Sequence, residues 1–291
     1  MNRPTAPDWR CRDLSLPIGR RTLLMAIVNV TPDSFSGDGL GRDSGAAVAA
    51  ALQAAADGAD VLDVGGATTR PGNELVAPAE ELARVIPVIQ QLARQTRLPI
   101  SVDTAKPLVA AEALAAGARI INDVSGLALS DDLARRAAAA GAGLVLMRFP
   151  GYPYNRPRTW RPEDGDLIDQ IRRDLAASVT RARAAGVTAD AIVLDPGFGF
   201  GLLAPDSIAV LRRLSELRDL GYPLLAGVSR KGFTGYPERL AVHDRQWGTA
   251  AAHALAITNG ASVLRVHDVT AAWRLARFTD LVVHAEAPPD A

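Results

Sequence analysis

Two sets of side chains in this sequence suit two halves of one ligand. Asn29, Arg70, Lys231, Arg265 and His267 supply amide donors and positive charge, the groups that hold a phosphate or pyrophosphate. Asp103, Asn122 and Asp195 supply acceptors, with one amide that also donates. A carboxylate accepts two parallel N–H bonds, so it suits the amidine-like edge of a guanine or a pterin. The collection points to a flat, donor-bearing heterocycle with an anionic tail. Two glycine-rich stretches, DSFSGDGLG (33–41) and GGATTRPG (65–72), are expected to fold over that tail. Mobile loops rich in Gly, Ser and Thr offer many donors, but alone they specify little.

Most of these residues fall late in short apolar runs. The runs are LLMAIVNV (23–30), VLDVGG (61–66), PISVDT (99–104), RIINDVSG (119–126), GLVLMR (143–148), AIVLDPG (191–197), PLLAGVS (223–229) and SVLRVHDV (262–269). Continuous apolarity suits strands covered on both faces, as in parallel sheets. Between them lie Ala/Leu-rich stretches with helical spacing, at 46–56, 79–96, 108–116, 131–140, 166–185, 206–219, 250–259 and 271–283. Gly58, Gly117, Gly141, Gly186, Gly221 and Gly260 follow six of them, where a left-handed cap favours glycine. Pro107 suits a first helical turn. Eight strands alternating with eight helices predict an α/β fold, a (β/α)8 TIM barrel. A doubly wound open sheet is the alternative, since alternation does not fix closure. One domain is expected, with the barrel over about 23–284, a hairpin at 9–22 plugging its N-terminal end, and a flexible tail.

Each polar residue also has a plainer explanation. Asp103 or the Asn122–Asp123 pair could cap turns, Asp195-Pro-Gly could be a turn alone, and Arg265 could pair locally with Asp268. His267 alone reads as structural. Independent caps need not recur late on nearly every strand, however, whereas a barrel gathers such positions on one face.

The bulk numbers narrow the partners. The 291 residues are 48% hydrophobic and carry 32 basic and 32 acidic side chains, so neither nucleic acid nor an anionic membrane is expected as the main partner. The single cysteine, Cys11, forms no intramolecular disulfide, and no Cys/His spacing suggests zinc. No apolar run approaches membrane-spanning length and residues 1–13 lack a secretory core, so a cytoplasmic protein is expected.

Seven stretches in order resemble the dihydropteroate synthase family. They are MAIVNVTPDSFSGDG (25–39), GADVLDVGGATTRPG (58–72), SVDTAK (101–106), GARIINDVSG (117–126), DPGFGFG (195–201), GVSRKGF (227–233) and RVHDV (265–269). The resemblance implies a homodimeric (β/α)8 barrel. Its reaction condenses p-aminobenzoate with 6-hydroxymethyl-7,8-dihydropterin pyrophosphate, giving dihydropteroate and pyrophosphate. By position, Asp103, Asn122, Asp195 and Lys231 match pterin-binding residues, with Met147 and Phe200 near the ring. Asn29, Arg265 and His267 match anion-binding and Mg2+-linked positions, Asn29 being the metal ligand. Thr69, Arg70, Pro71 and Ser229 match residues around p-aminobenzoate and the closing loops. Asp103, Asp195 and Lys231 are the catalytic candidates.

The chain departs from the family pattern at several points. Arg148 stands where the family has His after Met147. Arg156-Pro157 replace Met-Gln, Leu202 replaces Lys, and Ala67 replaces Glu. A permanent cation at the barrel mouth would crowd the pterin or repel a cationic methylene. These departures predict a divergent paralogue with weak or lost synthase activity that still binds pterin or sulfa-like ligands. The alternatives are a fully active synthase, a methyltetrahydrofolate-binding methyltransferase barrel and a non-enzymatic binder. Arg148 itself is expected either in pterin space or swung outward to an acid near Glu163–Asp166.

Overall fold

Runs of Val, Ile and Leu with no polar alternation must be covered on both faces, and the fold supplies that cover as two concentric cores. The computed structural model describes residues 8–31, 44–67, 76–153 and 159–284. An N-terminal hairpin pairs β1 (Trp9–Cys11) with β2 (Leu14–Leu16). The barrel strands are β3 (Leu23–Asn29), β4 (Val61–Gly65), β5 (Ile100–Asp103), β6 (Ile120–Asp123), β7 (Gly143–Met147), β8 (Ile192–Asp195), β9 (Leu224–Ala226) and β10 (Ala261–Val266). They pair in parallel, and β10 bonds both β9 and β3, so the sheet closes. Closure settles the choice against an open doubly wound sheet and gives the expected TIM barrel.

The interstrand helices are α1 (Ser44–Ala56), α2 (Pro78–Gln95), α3 (Pro107–Ala116), α4 (Asp132–Ala140), α5 (Leu167–Ala184), α6 (Ala204–Arg212), α7 (Gln246–Thr258) and α8 (Val269–His284). Pro78 and Pro107 open their helices, where no N–H partner is lost. The helix expected over 206–219 is shorter: α6 ends at Arg212 and residues Leu214–Leu220 form a 3-10 segment. Arg213 leaves helical geometry at the junction, and its guanidinium is held by Asp166 and Glu216. The bond to Asp166 spans 47 residues, a tertiary contact at the point where the helical pattern breaks, while the Glu216 pair is a local i,i+3 one.

The inner core stacks Leu23, Met25, Val61, Ile120, Val145, Val193, Leu225 and Val263. Trp9, Cys11 and Ile18 join it from the N-terminal segment, and Trp9 Nε1 donates to the Ala191 carbonyl at 3.0 Å. The hairpin therefore plugs the N-terminal end, as expected. Gly143 makes the fit possible, because a Cβ there would lie 3.0 Å from Cys11 Sγ and 3.1 Å from Trp9 Nε1. The outer core lies between strands and helices. At the opposite end a small apolar cluster of Ala105, Val124, Met147 and Phe149 marks the barrel mouth.

Candidate functional site

Strand register lines up the first set of polar residues. Asn29 pairs with Gly65, Gly65 with Asp103, and Asp103 with Asn122. These four positions run side by side across the C-terminal rim of β3 to β6. A Cβ on Gly65 would lie 3.5 Å from Asp103 Cβ and 3.8 Å from Asn29 Oδ1, so glycine leaves the space between those two groups open.

Arg265 crosses the mouth from β10. Its Nε donates to Asp63 Oδ2 at 2.7 Å and its Nη2 to Asp103 Oδ2 at 2.7 Å. Asn122 Nδ2 donates to the same Asp63 oxygen at 3.0 Å. The local pairing with Asp268 considered above does not form; Asp268 instead accepts from the Ala271 N–H at the start of α8. Asp103 likewise gives no cap to α3. The turn-capping explanation holds for Asp123, whose carboxylate accepts from the Ser125 and Leu127 N–H groups, and fails for Asn122.

On the other side of the mouth, Lys231 Nζ donates to the Phe198 carbonyl at 2.9 Å and sits 3.8 Å above the Phe200 ring. Asp195 accepts the Gly197 N–H at 2.8 Å, so its Asp-Pro-Gly turn is real while the carboxylate also belongs to the site. Gly197 is required there: at φ +78 a Cβ would lie 2.0 Å from the Arg148 carbonyl oxygen. His267 Nδ1 lies 3.0 Å from Ser229 Oγ. Met147 lies in the apolar mouth cluster, and Phe200 packs against it with its ring 4.7 Å from that of Phe149. Thr69, Arg70 and Pro71, both glycine-rich tips and Arg156-Pro157 lie outside the described residues.

The charges of this site are held against burial. Burial, reinforced by Asp63, Glu81 and Asp123, pushes the Asp103 carboxyl up, while the Arg265 guanidinium pulls it down. Burial also raises Asp195, against the Gly197 N–H, Lys231 and Arg265. Burial lowers the Lys231 ammonium, which the Asp195 carboxylate partly restores. Burial opposes the Arg265 charge, and Asp63 and Asp103 more than offset it, leaving the guanidinium above its ordinary value. Such opposed shifts in one cleft are characteristic of functional sites.

Arg148 points out of the barrel. Its side chain is 2% exposed and its Nε donates to Asp174 Oδ2 on α5 at 2.7 Å. Met147 faces the mouth, so pleat alternation sends Arg148 to the helix side. The outward swing matches one of the two expected placements, but the partner is Asp174 rather than an acid at Glu163–Asp166. Leu202 is buried in the outer core. Ala67 lines a small cavity beside Asp103, together with Glu81, Thr104, Lys106 and Tyr152. Lys106 Nζ bonds the Glu81 carboxylate, which has 0% side-chain exposure.

Asp63 and the Glu81–Lys106 pair were not among the sequence-chosen site residues. Asp63 did carry a signal, as an acid inside the apolar run VLDVGG. Among the described residues, no group of three His, Cys, Asp or Glu side chains is placed to hold a metal.

Comparison with known proteins adds the decisive observation. The model of the pterin binding enzyme family matches residues 25–267, a span that opens on β3 and closes on His267. A dihydropteroate synthase of Synechocystis is 42% identical over 263 residues, covering 90% of this chain and 90% of its own. The chain belongs to the dihydropteroate synthase family. The Bacillus subtilis dihydropteroate synthase is 41% identical over 93% of this chain and 92% of its own. Among solved structures, the Xanthomonas albilineans dihydropteroate synthase with 4-aminobenzoic acid superposes with a TM-score of 0.87 at 41% identity, over 98% of this chain and 100% of that one. A second family member, from Clostridium difficile in the presence of pteroic acid, gives a TM-score of 0.83 at 41% identity, covering 91% of this chain and 98% of that one.

Proposed function

We propose that this protein is an active dihydropteroate synthase, joining p-aminobenzoate to 6-hydroxymethyl-7,8-dihydropterin pyrophosphate with release of pyrophosphate. The observation that carries this is the outward Arg148–Asp174 pair, which keeps the divergent cation out of the mouth. The chief reason for expecting a silent paralogue is thereby removed. Asp103, Asn122, Asp195 and Lys231 bind the pterin edge, with Met147 and Phe200 against its ring. Arg265, His267 and Asn29 take the pyrophosphate, and Ser229 with Thr69 and Arg70 adjoins the p-aminobenzoate.

Bond changes follow from this charge layout. The methylene C–O bond breaks and its electron pair leaves with the pyrophosphate. The carboxylates at Asp103 and Asp195 face the cation that develops on the pterin side, while Arg265 and His267 face the anion. The aniline nitrogen forms the C–N bond and releases its proton to solvent. No covalent enzyme nucleophile is needed. An amide oxygen at Asn29 fits Mg2+, a hard cation commonly held by few protein oxygens together with substrate phosphates. When bound, the ion would neutralise charge on the leaving pyrophosphate.

Homodimerisation belongs to the same proposal. Trp247 and Leu255 on α7 and Phe278, Leu281 and Val282 on α8 are exposed, at 79, 51, 69, 42 and 68%. A second copy of this chain would cover such an apolar face. Sedimentation velocity should give a dimer, and replacing Phe278 and Val282 together by Asp should give monomers. A monomeric wild-type protein would sink this part. A cytoplasmic location accompanies a biosynthetic role; no helix among the described residues is long and apolar enough to cross a membrane.

One observation still favours a diverged binder: Ala67 stands beside Asp103 where the resemblance places an acid. Steady-state turnover with both substrates and Mg2+ separates the two. Product formation within the ordinary range of metabolic enzymes, on the order of 1 per second or faster, supports the synthase. Saturable binding of pteroic acid without turnover supports the binder.

A further inference from the structure

Asp63 is fully buried and lies one pleat below the rim, two residues before Gly65 on β4. Nothing in the family resemblance gave it a task. Yet one of its oxygens, Oδ2, accepts from two donors that both belong to the candidate site: Arg265 Nε at 2.7 Å and Asn122 Nδ2 at 3.0 Å. Its other oxygen, Oδ1, is buried with no partner among the described residues. An ionised carboxylate enclosed in this way is costly unless its charge is matched. The Arg265 guanidinium supplies that match.

We infer that Asp63 is a positioning residue, which fixes the direction of the Arg265 guanidinium and the rotamer of the Asn122 amide for ligand binding. The inference rests on the synthase assignment for its reaction but not for its binding claim. A guanidinium is a planar fork, so anchoring Nε on Asp63 and Nη2 on Asp103 fixes its whole plane. The amide is fixed by chemistry. A carboxylate accepts only, so Asn122 must turn Nδ2 to Asp63, and its Oδ1 must face away. Asn122 thereby presents an acceptor to a heterocycle donor, rather than a second donor. Asp63 does all this without reaching the ligand.

A purely structural acid would make a different prediction from a positioning one. Asp103 faces Arg265 from β10, Asp63 from β4, Glu81 from α2 and Asp123 from β6, and the negative charge on Asp63 is one of the causes holding its carboxyl up. In Asp63→Asn that repulsion is gone. The acid limb of kcat/KM should move to lower pH, a shift that a loss of packing alone does not produce.

The experiment measures Asp63→Asn, Arg265→Lys and the double variant, by turnover with both substrates and by calorimetry with pteroic acid. Loss of a charge-assisted bond and of amide orientation predicts about 30-fold lower kcat/KM and about 10-fold weaker pteroic acid binding for Asp63→Asn. In the Arg265→Lys background the same change should cost clearly less, about 10-fold or lower, because only the Asn122 amide is then left for Asp63 to position. Additive losses, or a variant within about 2-fold of wild type in both assays, would overturn the inference. If Asp63→Asn does not fold, Asp63→Ser and Asp63→Glu are measured, and failure of all three would mark a folding residue and overturn it equally. If wild type gives no product while calorimetry follows the expected pattern, the synthase assignment fails and the positioning role stands.

Discussion

At the scale of single residues, the site is a balance between burial and pairing. Burial raises Asp103 and Asp195 and lowers Lys231. Activity that needs both carboxylates ionised and the ammonium protonated therefore has a narrowed window. The acid limb of kcat/KM should lie above the ordinary carboxylate range near about 4, and the basic limb below the ordinary lysine value near about 10.4. A plateau reaching from about pH 5 to about pH 10 would contradict this. Lys231→Gln should cost about 100-fold in kcat/KM and remove the basic limb, read from the same profiles. The residue types here were legible from the sequence, because polar groups late in apolar runs need a reason. Their partners were not. Arg265 meets Asp63 and Asp103 across 202 and 162 residues of chain, and only barrel closure brings them together. The direction of Arg148 depended on which residue of β7 faces inward, and a continuous apolar run carries no alternation from which to read that.

At the scale of elements, β7 and α5 are joined by a pair that the family pattern did not foretell. Arg148 is almost wholly enclosed and its Nη1 has no partner among the described residues, whereas Asp174 is 34% exposed and also accepts from Gln170. The two partners should thus respond unequally to removal. Asp174→Ala strands a buried cation and should cost about 3 kcal/mol of unfolding free energy. Arg148→Met leaves a carboxylate that water and Gln170 can satisfy, and should cost about 1 kcal/mol. Urea denaturation of both variants checks the order, and a larger loss for Arg148→Met would reverse the assignment. Turnover of Arg148→Met should stay within about 3-fold of wild type, since the side chain faces away from the mouth. Helix and strand positions themselves were largely visible, through glycine caps and apolar runs. The exception is α6, where the pattern runs on but the chain leaves helical geometry at Arg213, whose bond to Asp166 spans 47 residues and so lies outside local patterning.

At the scale of the whole molecule, a buried group outside the site should weaken the fold toward acid. His253 on α7 is 3% exposed, and its Nε2 has no partner among the described residues. Burial lowers its pKa from the ordinary 6.5 to about 4. The unfolded chain therefore takes up a proton near about pH 6.5 that the folded chain refuses until about pH 4. Stability from keeping His253 neutral is present above the unfolded value and is lost as pH falls through that window. Asp103 and Asp195 act in the opposite sense, because their raised carboxyls gain protons more readily when folded. Asp13 and Asp166, lowered by their bonds to Arg119 and Arg213, add to the acid loss only below the ordinary carboxylate range. Between about pH 6.5 and pH 4.5 His253 is thus a group that weakens the fold. His253→Leu should remove it while keeping an apolar side chain of similar bulk in the same place. Unfolding free energies of wild type and variant, measured by urea at pH 7 and at pH 4.5, should converge on acidification by about 2–3 kcal/mol in favour of the variant. A difference that stays constant between the two pH values would show that His253 takes up its proton as readily in the fold as in the unfolded chain, and would overturn the prediction.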